Sequence, residues 1–267
     1  DVKANEPGSW TQILLGFAVV AVVLYYWFGK VILENTQGLV NDQLRRSYVW
    51  GMGWFIFSEV MFFAAFFGAL FYTRTLSVAW LGGEGAKGFT GDYLWPAFND
   101  VWPVVSNPDN VLFPGPEVSM AAPASAAGWV SYLPFYNTVI LLLSSVTVHN
   151  AHTAIKNEDR FKLKAWLGVT VALGCIFLGL QVEEYVVAYN DMGLTLSSGI
   201  YGSTFFLLTG FHGFHVTLGT VILLVQLIRS FRGHFGPKDC FGFEAASWYW
   251  HFVDVVWVGL FIFVYVF

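Results

Sequence analysis

Charged side chains are scarce in this chain. Lys, Arg, Asp and Glu make up 12% of its 267 residues, about half the roughly 25% of an ordinary soluble domain. The 13 basic residues are outnumbered by 18 acidic ones, leaving a formal net charge of -5. The cationic surface that a nucleic acid needs is lacking, and no nucleic acid partner is expected. Cysteine is nearly absent: Cys175 and Cys240 make neither a CxxC pair nor a disulfide framework. One falls within an apolar span and the other in a connection, too far apart to bridge. No Walker loop, nucleophile elbow, HExxH or dinucleotide fingerprint occurs, which argues against a self-contained enzyme. There is no repeat of about 20–50 residues. Alternating ten-residue strands are also missing, so a membrane β-barrel is excluded.

What the chain has is apolar and aromatic: 56% hydrophobic and 19% Phe, Trp and Tyr, with a mean hydropathy of +0.59. Crossing a hydrocarbon core as helix takes about 20 apolar residues. Six stretches qualify, at about 10–29, 47–73, 131–155, 163–188, 200–229 and 245–267. The expected fold is an all-α, polytopic transmembrane helix bundle with six spans. It divides into 1–46, a first span with its inner linker, and 47–267, a five-helix bundle with a long outer loop at 74–130.

Ten of the 13 basic residues fall in alternate connections: Lys30, Arg45 and Arg46, then Lys156, Arg160, Lys162 and Lys164, then Arg229, Arg232 and Lys238. Basic residues gather on the cytoplasmic side of short loops, so these connections are inner and both chain ends are outer. An outer start at Asp1 without a signal segment suggests that a first helix is missing.

The loop from Arg74 to Val130 carries six of the nine prolines and its own tryptophans, Trp80, Trp95, Trp102 and Trp129. That content suits a packed cap better than a tether. Its acidic balance could steer a basic partner. In the fourth span, Gly168, Ala172, Cys175 and Gly179 recur at helical spacing, a small-residue stripe expected to pack against a neighbouring helix.

Ionisable residues inside spans are costly and point to function. Glu59 falls near the middle of the second span, where burial favours the uncharged acid and reaction with hydrophobic carbodiimides is expected. His212 and His215, near the centre of the fifth span, are candidate partners for it. His149 and His152 repeat the three-residue spacing, as do His251 and Asp254. Histidines on facing helices could hold two haems, although their depths differ. A proton-coupled transporter is a second alternative, but inverted repeats with broken helices are not visible. Toward the inner interface gather His152, Arg229, Arg232, His234, Glu244 and His251, with Trp248, Tyr249 and Trp250 as an aromatic belt, a set suited to anionic headgroups. Glu183 and Glu184 near the outer end of the fourth span either line a wet crevice or snorkel outward.

Four ordered motifs resemble subunit III of the haem-copper cytochrome c oxidases, with a proteobacterial look. They are Trp54 to Phe63 (WFIFSEVMFF), Tyr201 to Phe206 (YGSTFF), Thr209 to Val216 (TGFHGFHV), and Phe241 to Ala246 (FGFEAA) running into Trp248 to Trp257. The resemblance covers about 48–267. It implies an accessory, non-redox subunit of a proton-pumping oxidase in the aerobic respiratory chain, an enzyme subunit with no catalytic centre of its own. It also implies packing beside subunits I and II, bound phospholipid, and support of proton uptake. Haem and copper would lie in partner subunits, and cytochrome c would be the donor to the whole complex. No metal is expected in this chain. On the same resemblance Glu59 matches the family's carbodiimide-reactive carboxylate. His152, Arg229, Arg232, Glu244, Trp248, His251, Asp254 and Trp257 become candidates for lipid or subunit contact. The setting would be a bacterial inner membrane, with the C-terminus on the periplasmic side.

The chain departs from the family's pattern in four places. The family has seven spans. Its paired histidines become His152 and Thr153 here, and its basic residue ten positions before the carboxylate becomes Val49. The outer loop is long. Quinol oxidases share a related subunit, though the stretch from Phe243 to Asp254 resembles the cytochrome c branch more closely.

Overall fold

In a computed structural model, residues 7–236 and 240–267 are described. Asp1, Lys3 and Lys238 lie outside the described residues.

Six helices are long and apolar enough to cross a membrane: Trp10–Thr36, Asp42–Leu81, Leu133–Lys156, Arg160–Asp191, Ile200–Phe231 and Phe241–Val266. These are the six expected spans; all but the third are longer than expected, and the third runs from 133 instead of 131. No strand occurs among the described residues. The protein is therefore an all-helical, multi-span membrane protein.

The chain forms two compact units, Asp1–Gly53 and Trp54–Phe267. In the first, α1 (Pro7–Thr36) ends where Gly38 adopts φ +74°. The Gly38 amide returns to the Asn35 carbonyl and that of Leu39 to Glu34, the αL arrangement that closes a helix end. The helix α2 (Asp42–Tyr72) restarts at once, with Asn41 Oδ1 accepting from the Leu44 amide at 2.8 Å.

In the second unit, α6 (Leu133–Lys156), α7 (Arg160–Asp191), α8 (Ile200–Phe231) and α9 (Phe241–Leu260) pack in chain order, and α9 closes back on α6. Short connections make such sequential antiparallel packing the default. Trp250 fills the centre of this ring: it is fully buried, and its indole N–H donates to Ser144 Oγ at 2.9 Å. Gly174 and Gly219 make room for it. A Cβ on Gly219 would lie 2.9 Å from Trp250 Cε3, and one on Gly174 would lie 2.9 Å from Trp250 Cη2.

The small-residue stripe of the fourth span is not where α7 packs. Gly168 and Gly179 meet nothing within 4 Å, and Cys175 is exposed. The buried stripe is Leu163, Leu167, Thr170, Gly174, Phe177, Gln181, Glu184 and Ala188. Small size permits close approach on any face, whereas the large apolar residues at the same period choose the face that is used.

The second span also runs past its expected end at 73. A π-helical turn (Thr73–Ser77) and α3 (Val78–Leu81) carry it on. Thr73 and Thr75 return their hydroxyls to carbonyls of the preceding turn, and the Arg74 guanidinium rests 5.8 Å from the Trp102 ring centroid. One charge at a helix end, so covered, does not stop the helix.

Beyond Leu81, the short helices α4 (Phe89–Leu94) and α5 (Ala126–Trp129) lie in a connection laced to the adjoining end of the bundle. Asn107 Nδ2 donates to the Phe113 and Ser198 carbonyls, Tyr201 Oη accepts from the Met120 amide, and the Ala122 amide donates to the Tyr265 carbonyl at 2.7 Å. The loop is a packed cap. Burial first, then the neighbouring Glu184, pushes the Tyr132 hydroxyl well above its ordinary pKa, so Tyr132 serves as a neutral donor, here to the Met120 carbonyl at 2.7 Å.

Candidate functional site

Midway along the bundle, His215 Nε2 lies 2.9 Å from Glu59 Oε2, with the side chains 8% and 22% exposed. The rings of Phe63, Phe62, Tyr249 and Phe252 surround the imidazole. The helix α8 orients it: Nδ1 sits 2.6 Å from the Phe211 carbonyl, one turn back. A carbonyl can only accept, so Nδ1 carries a proton. Nε2 then meets Glu59 either as acceptor of a carboxylic acid proton or, in the imidazolium, as donor to a carboxylate. Both arrangements hold the same protons and are neutral overall, which suits a low-dielectric surrounding.

His212, three residues earlier, is turned elsewhere. Its Nε2 approaches the Val253 carbonyl of α9 at 3.2 Å, and its ring packs 5.0 Å from that of Trp257. By the same reasoning it carries its proton on Nε2. The two midplane histidines thus turn opposite ring nitrogens to backbone carbonyls, Nδ1 in His215 and Nε2 in His212, and of the two it is His215 that the structure brings to Glu59. With each Nε2 so engaged, neither imidazole is arranged as one of a facing ligand pair.

The remaining candidates separate into two groups. His152, near the end of α6, reaches Glu244 in the first turn of α9, with Nε2 to Oε1 at 3.2 Å. Cys240, which caps α9, places its Sγ 3.5 Å from the same oxygen. Arg229 is buried, with Nη1 donating to Gln226 Oε1 at 2.9 Å and the guanidinium 4.7 Å from the Phe235 ring. Arg232 and Trp248 are exposed. His234 stands beyond α8, where burial first, then the charges of Arg229 and Arg232, holds its imidazole below the ordinary range.

The second group combines a partly exposed His251 with a buried Asp254 and Trp257. His251 Nδ1 pairs with Ser145 Oγ at 2.8 Å and stands 3.6 Å from Asp254 Oδ2, beyond hydrogen-bonding reach. Asp254 and Trp257 are buried, and the Trp257 indole donates to Thr138 Oγ1 at 2.9 Å. Neither offers surface to lipid or to a second chain, because both lie on the stripe of α9 that faces the ring. His149 is exposed and does not converge with His152.

Several associations went unseen in the sequence. Tyr265 Oη donates to Glu184 Oε1 at 2.5 Å, a pair 81 residues apart. Its signal was present: Glu184 shares the face of Phe177, Gln181 and Ala188, while Glu183 points out. Tyr185 with Thr209 and Thr147 with Thr170 are neutral cross-helix bonds, at 2.7 and 2.8 Å. Cys240, set aside because Cys175 lies too far away to bridge, gains partners only through the fold.

The family model described as "Cytochrome c oxidase subunit III" matches residues 5–86 and 114–267. Among curated proteins, "Cytochrome c oxidase subunit 3" of Oryctolagus cuniculus is 36% identical over 262 residues, 98% of this chain and 84% of that protein. The protein of the same name from Marchantia polymorpha is 39% identical over 259 residues, covering 97% and 83%. The one from Papio hamadryas is 38% identical over 258 residues, covering 96% and 84%. Residues 87–113, within the packed cap, fall between the two matched segments.

Proposed function

The chain belongs to the cytochrome c oxidase subunit III family, an accessory subunit of an oxidoreductase complex, and on that premise we propose what its own residues contribute. The Glu59–His215 pair holds a contact between this chain and a catalytic partner or an intervening phospholipid. The partners are oxidase subunits I and II, with haem and copper in those subunits and cytochrome c as donor to the whole complex. This chain carries no redox centre, supports proton uptake by subunit I, and lies in a bacterial inner membrane with its C-terminus outside.

One observation carries this reading. Glu59 sits at the rim of the bundle, among Phe55, Phe57, Val60 and Met61, all exposed within the chain. An apolar rim of this kind needs hydrocarbon or another subunit against it. A polar side chain set into such a rim is a docking or headgroup contact, or a route for a proton, before it is a core residue. At the inner level, Arg232 and Trp248, with the half-exposed His152, Glu244 and His251, are placed for anionic headgroups. Arg229, Asp254 and Trp257 brace them from within.

The test is a comparison of wild-type, Glu59→Gln and Arg232→Gln oxidases for phospholipid content, retention of this subunit and lifetime during turnover. Each variant should lower at least one of the three. If all three stay at wild-type values in both, the reading is wrong. A mild-detergent pull-down with a reduced-minus-oxidised spectrum tests the premise about cofactors. Haem should appear only with a large partner, and haem stoichiometric with this chain alone would overturn it.

A further inference from the structure

We propose that His152, Cys240 and Glu244 form a binding site for Zn2+ or a similarly borderline-soft divalent cation, clipping the inner end of α6 to the start of α9. The three residues come from two helices and the turn that opens the second. They offer His152 Nε2, Cys240 Sγ and a Glu244 carboxylate oxygen, all within 4.8 Å of one another. Each is a zinc ligand type, and nitrogen, sulfur and oxygen together suit zinc better than magnesium or calcium, which take oxygen.

The spacing is that of ligands around a metal. With Zn–N of about 2.0–2.1 Å, Zn–O of about 2.0–2.2 Å and Zn–S of about 2.3 Å, tetrahedral geometry sets N···O near ~3.4 Å and S···O near ~3.6 Å. The structure has His152 Nε2 to Glu244 Oε1 at 3.2 Å and Cys240 Sγ to the same oxygen at 3.5 Å. The third separation, His152 Nε2 to Cys240 Sγ, lies within the 4.8 Å that spans the set and would close toward ~3.6 Å as the side chains turn onto one ion.

Charge and access agree. A thiolate, a carboxylate and a neutral imidazole balance a divalent cation, so the filled site is neutral at the edge of a hydrophobic bundle. The side chains of His152 and Glu244 are 22% and 30% exposed, which gives an ion a way in and leaves a fourth position for water. Cys240 is buried behind them, anchored at the N-cap of α9. The positive-inside bias puts this end of the bundle on the cytoplasmic side, where a thiol stays reduced.

The proposal goes beyond the accessory role, and its readout is the ion itself. The intact oxidase is washed with chelator, loaded with one equivalent of Zn2+, dialysed and studied at the zinc absorption edge. Wild type should retain zinc with one sulfur neighbour at about 2.3 Å and nitrogen or oxygen neighbours at about 2.0–2.2 Å. His152→Asn and Cys240→Ser should each weaken retention by at least about tenfold. Cys240→His guards against misfolding, since it should keep the zinc and lose the sulfur neighbour. The proposal is overturned if wild type retains no zinc, or if the sulfur neighbour survives in Cys240→Ser or Cys240→His.

Discussion

Replacing Glu59 in two ways separates a specific pair from a chance approach. In Glu59→Leu, His215 keeps its Nδ1 bond to the Phe211 carbonyl, and the neutral imidazole is left with a buried acceptor at Nε2 and no donor. Stranding a buried polar atom costs about 1–3 kcal/mol in general. Cross-helix hydrogen bonds in membranes run lower, near ~0.6 kcal/mol on average and up to ~1.7. The 2.9 Å separation and the 8% exposure of His215 put this one toward the upper end. A loss of about 1–2 kcal/mol is expected, a factor of roughly 5–30 in the folded-to-unfolded ratio. In Glu59→Gln the amide N–H can donate to Nε2 in place of the acid, so the loss should stay below about 1 kcal/mol.

The assay is unfolding of the full chain in mixed micelles with rising dodecyl sulfate, followed by near-ultraviolet circular dichroism. Imidazole nitrogen NMR supplies an independent check, because wild type should show His215 protonated on Nδ1 and His212 on Nε2. Glu59→Gln should move the His215 nitrogen shifts and leave those of His212 in place. Equal stability losses in the Leu and Gln variants, or a shared tautomer in the two histidines, would refute the reasoning.

Gly219→Ala sets a Cβ 2.9 Å from Trp250 Cε3, whereas Gly168→Ala meets nothing within 4 Å. The first should cost about 1–3 kcal/mol as an overpacked contact and the second close to nothing, so matching thermal melts would count against the packing described. Tyr265→Phe removes the donor to Glu184 Oε1 and should cost about 1–3 kcal/mol. Adding Glu184→Leu should recover part of that, and a double variant worse than the sum of the two singles would contradict it. His234 is held below its ordinary value of 6.5 by burial first and then by Arg229 and Arg232. The unfolded chain therefore takes up this proton more readily, so the stability that neutral His234 contributes is complete above that value and is lost as pH falls below it. Ring-proton NMR of Arg232→Gln should show the His234 midpoint moved up, and an unmoved midpoint would remove Arg232 as a cause.

The spans were legible because a hydrocarbon core sets a length that the sequence must meet. Their ends were not. The second span looked finished at 73 because Arg74 is charged, and only the fold shows that ring of Trp102 lying against it. The midplane carboxylate and its two candidate histidines were readable as an anomaly of composition. The choice between His212 and His215 was not, since three residues along a helix turn a side chain to a different neighbour. In α7, the small-residue stripe misled because periodicity names a face without saying what covers it. Glu184 with Tyr265, and Cys240 with His152, depend on contacts 81 and 88 residues apart in sequence, which no local pattern encodes.

What remains is why a bundle in hydrocarbon holds one arrangement at all. Lipid tails solvate an apolar helix face about as well as another helix does, so burial of apolar surface discriminates little. Polar bonds between helices are one source of specificity: Trp250 to Ser144 and Trp257 to Thr138 join α9 to α6, Thr147 with Thr170 joins α6 to α7, and Tyr185 with Thr209 joins α7 to α8. At about 0.6 kcal/mol each, four such bonds give only ~2–3 kcal/mol together. Shape must supply the rest. Trp250 fits only where Gly174 and Gly219 give way to its ring, and shifting α9 by one residue would turn that ring by about a quarter turn away from the gap, since a helix advances roughly 100° per residue. The indole fixes the rotation of α9 within the ring of helices. That rotation in turn brings the Val253 carbonyl to His212, leaving His215 to face Glu59. The pair at the bundle's rim is therefore positioned from the centre outward, and a lesion at Gly219 should reach Glu59 without touching it.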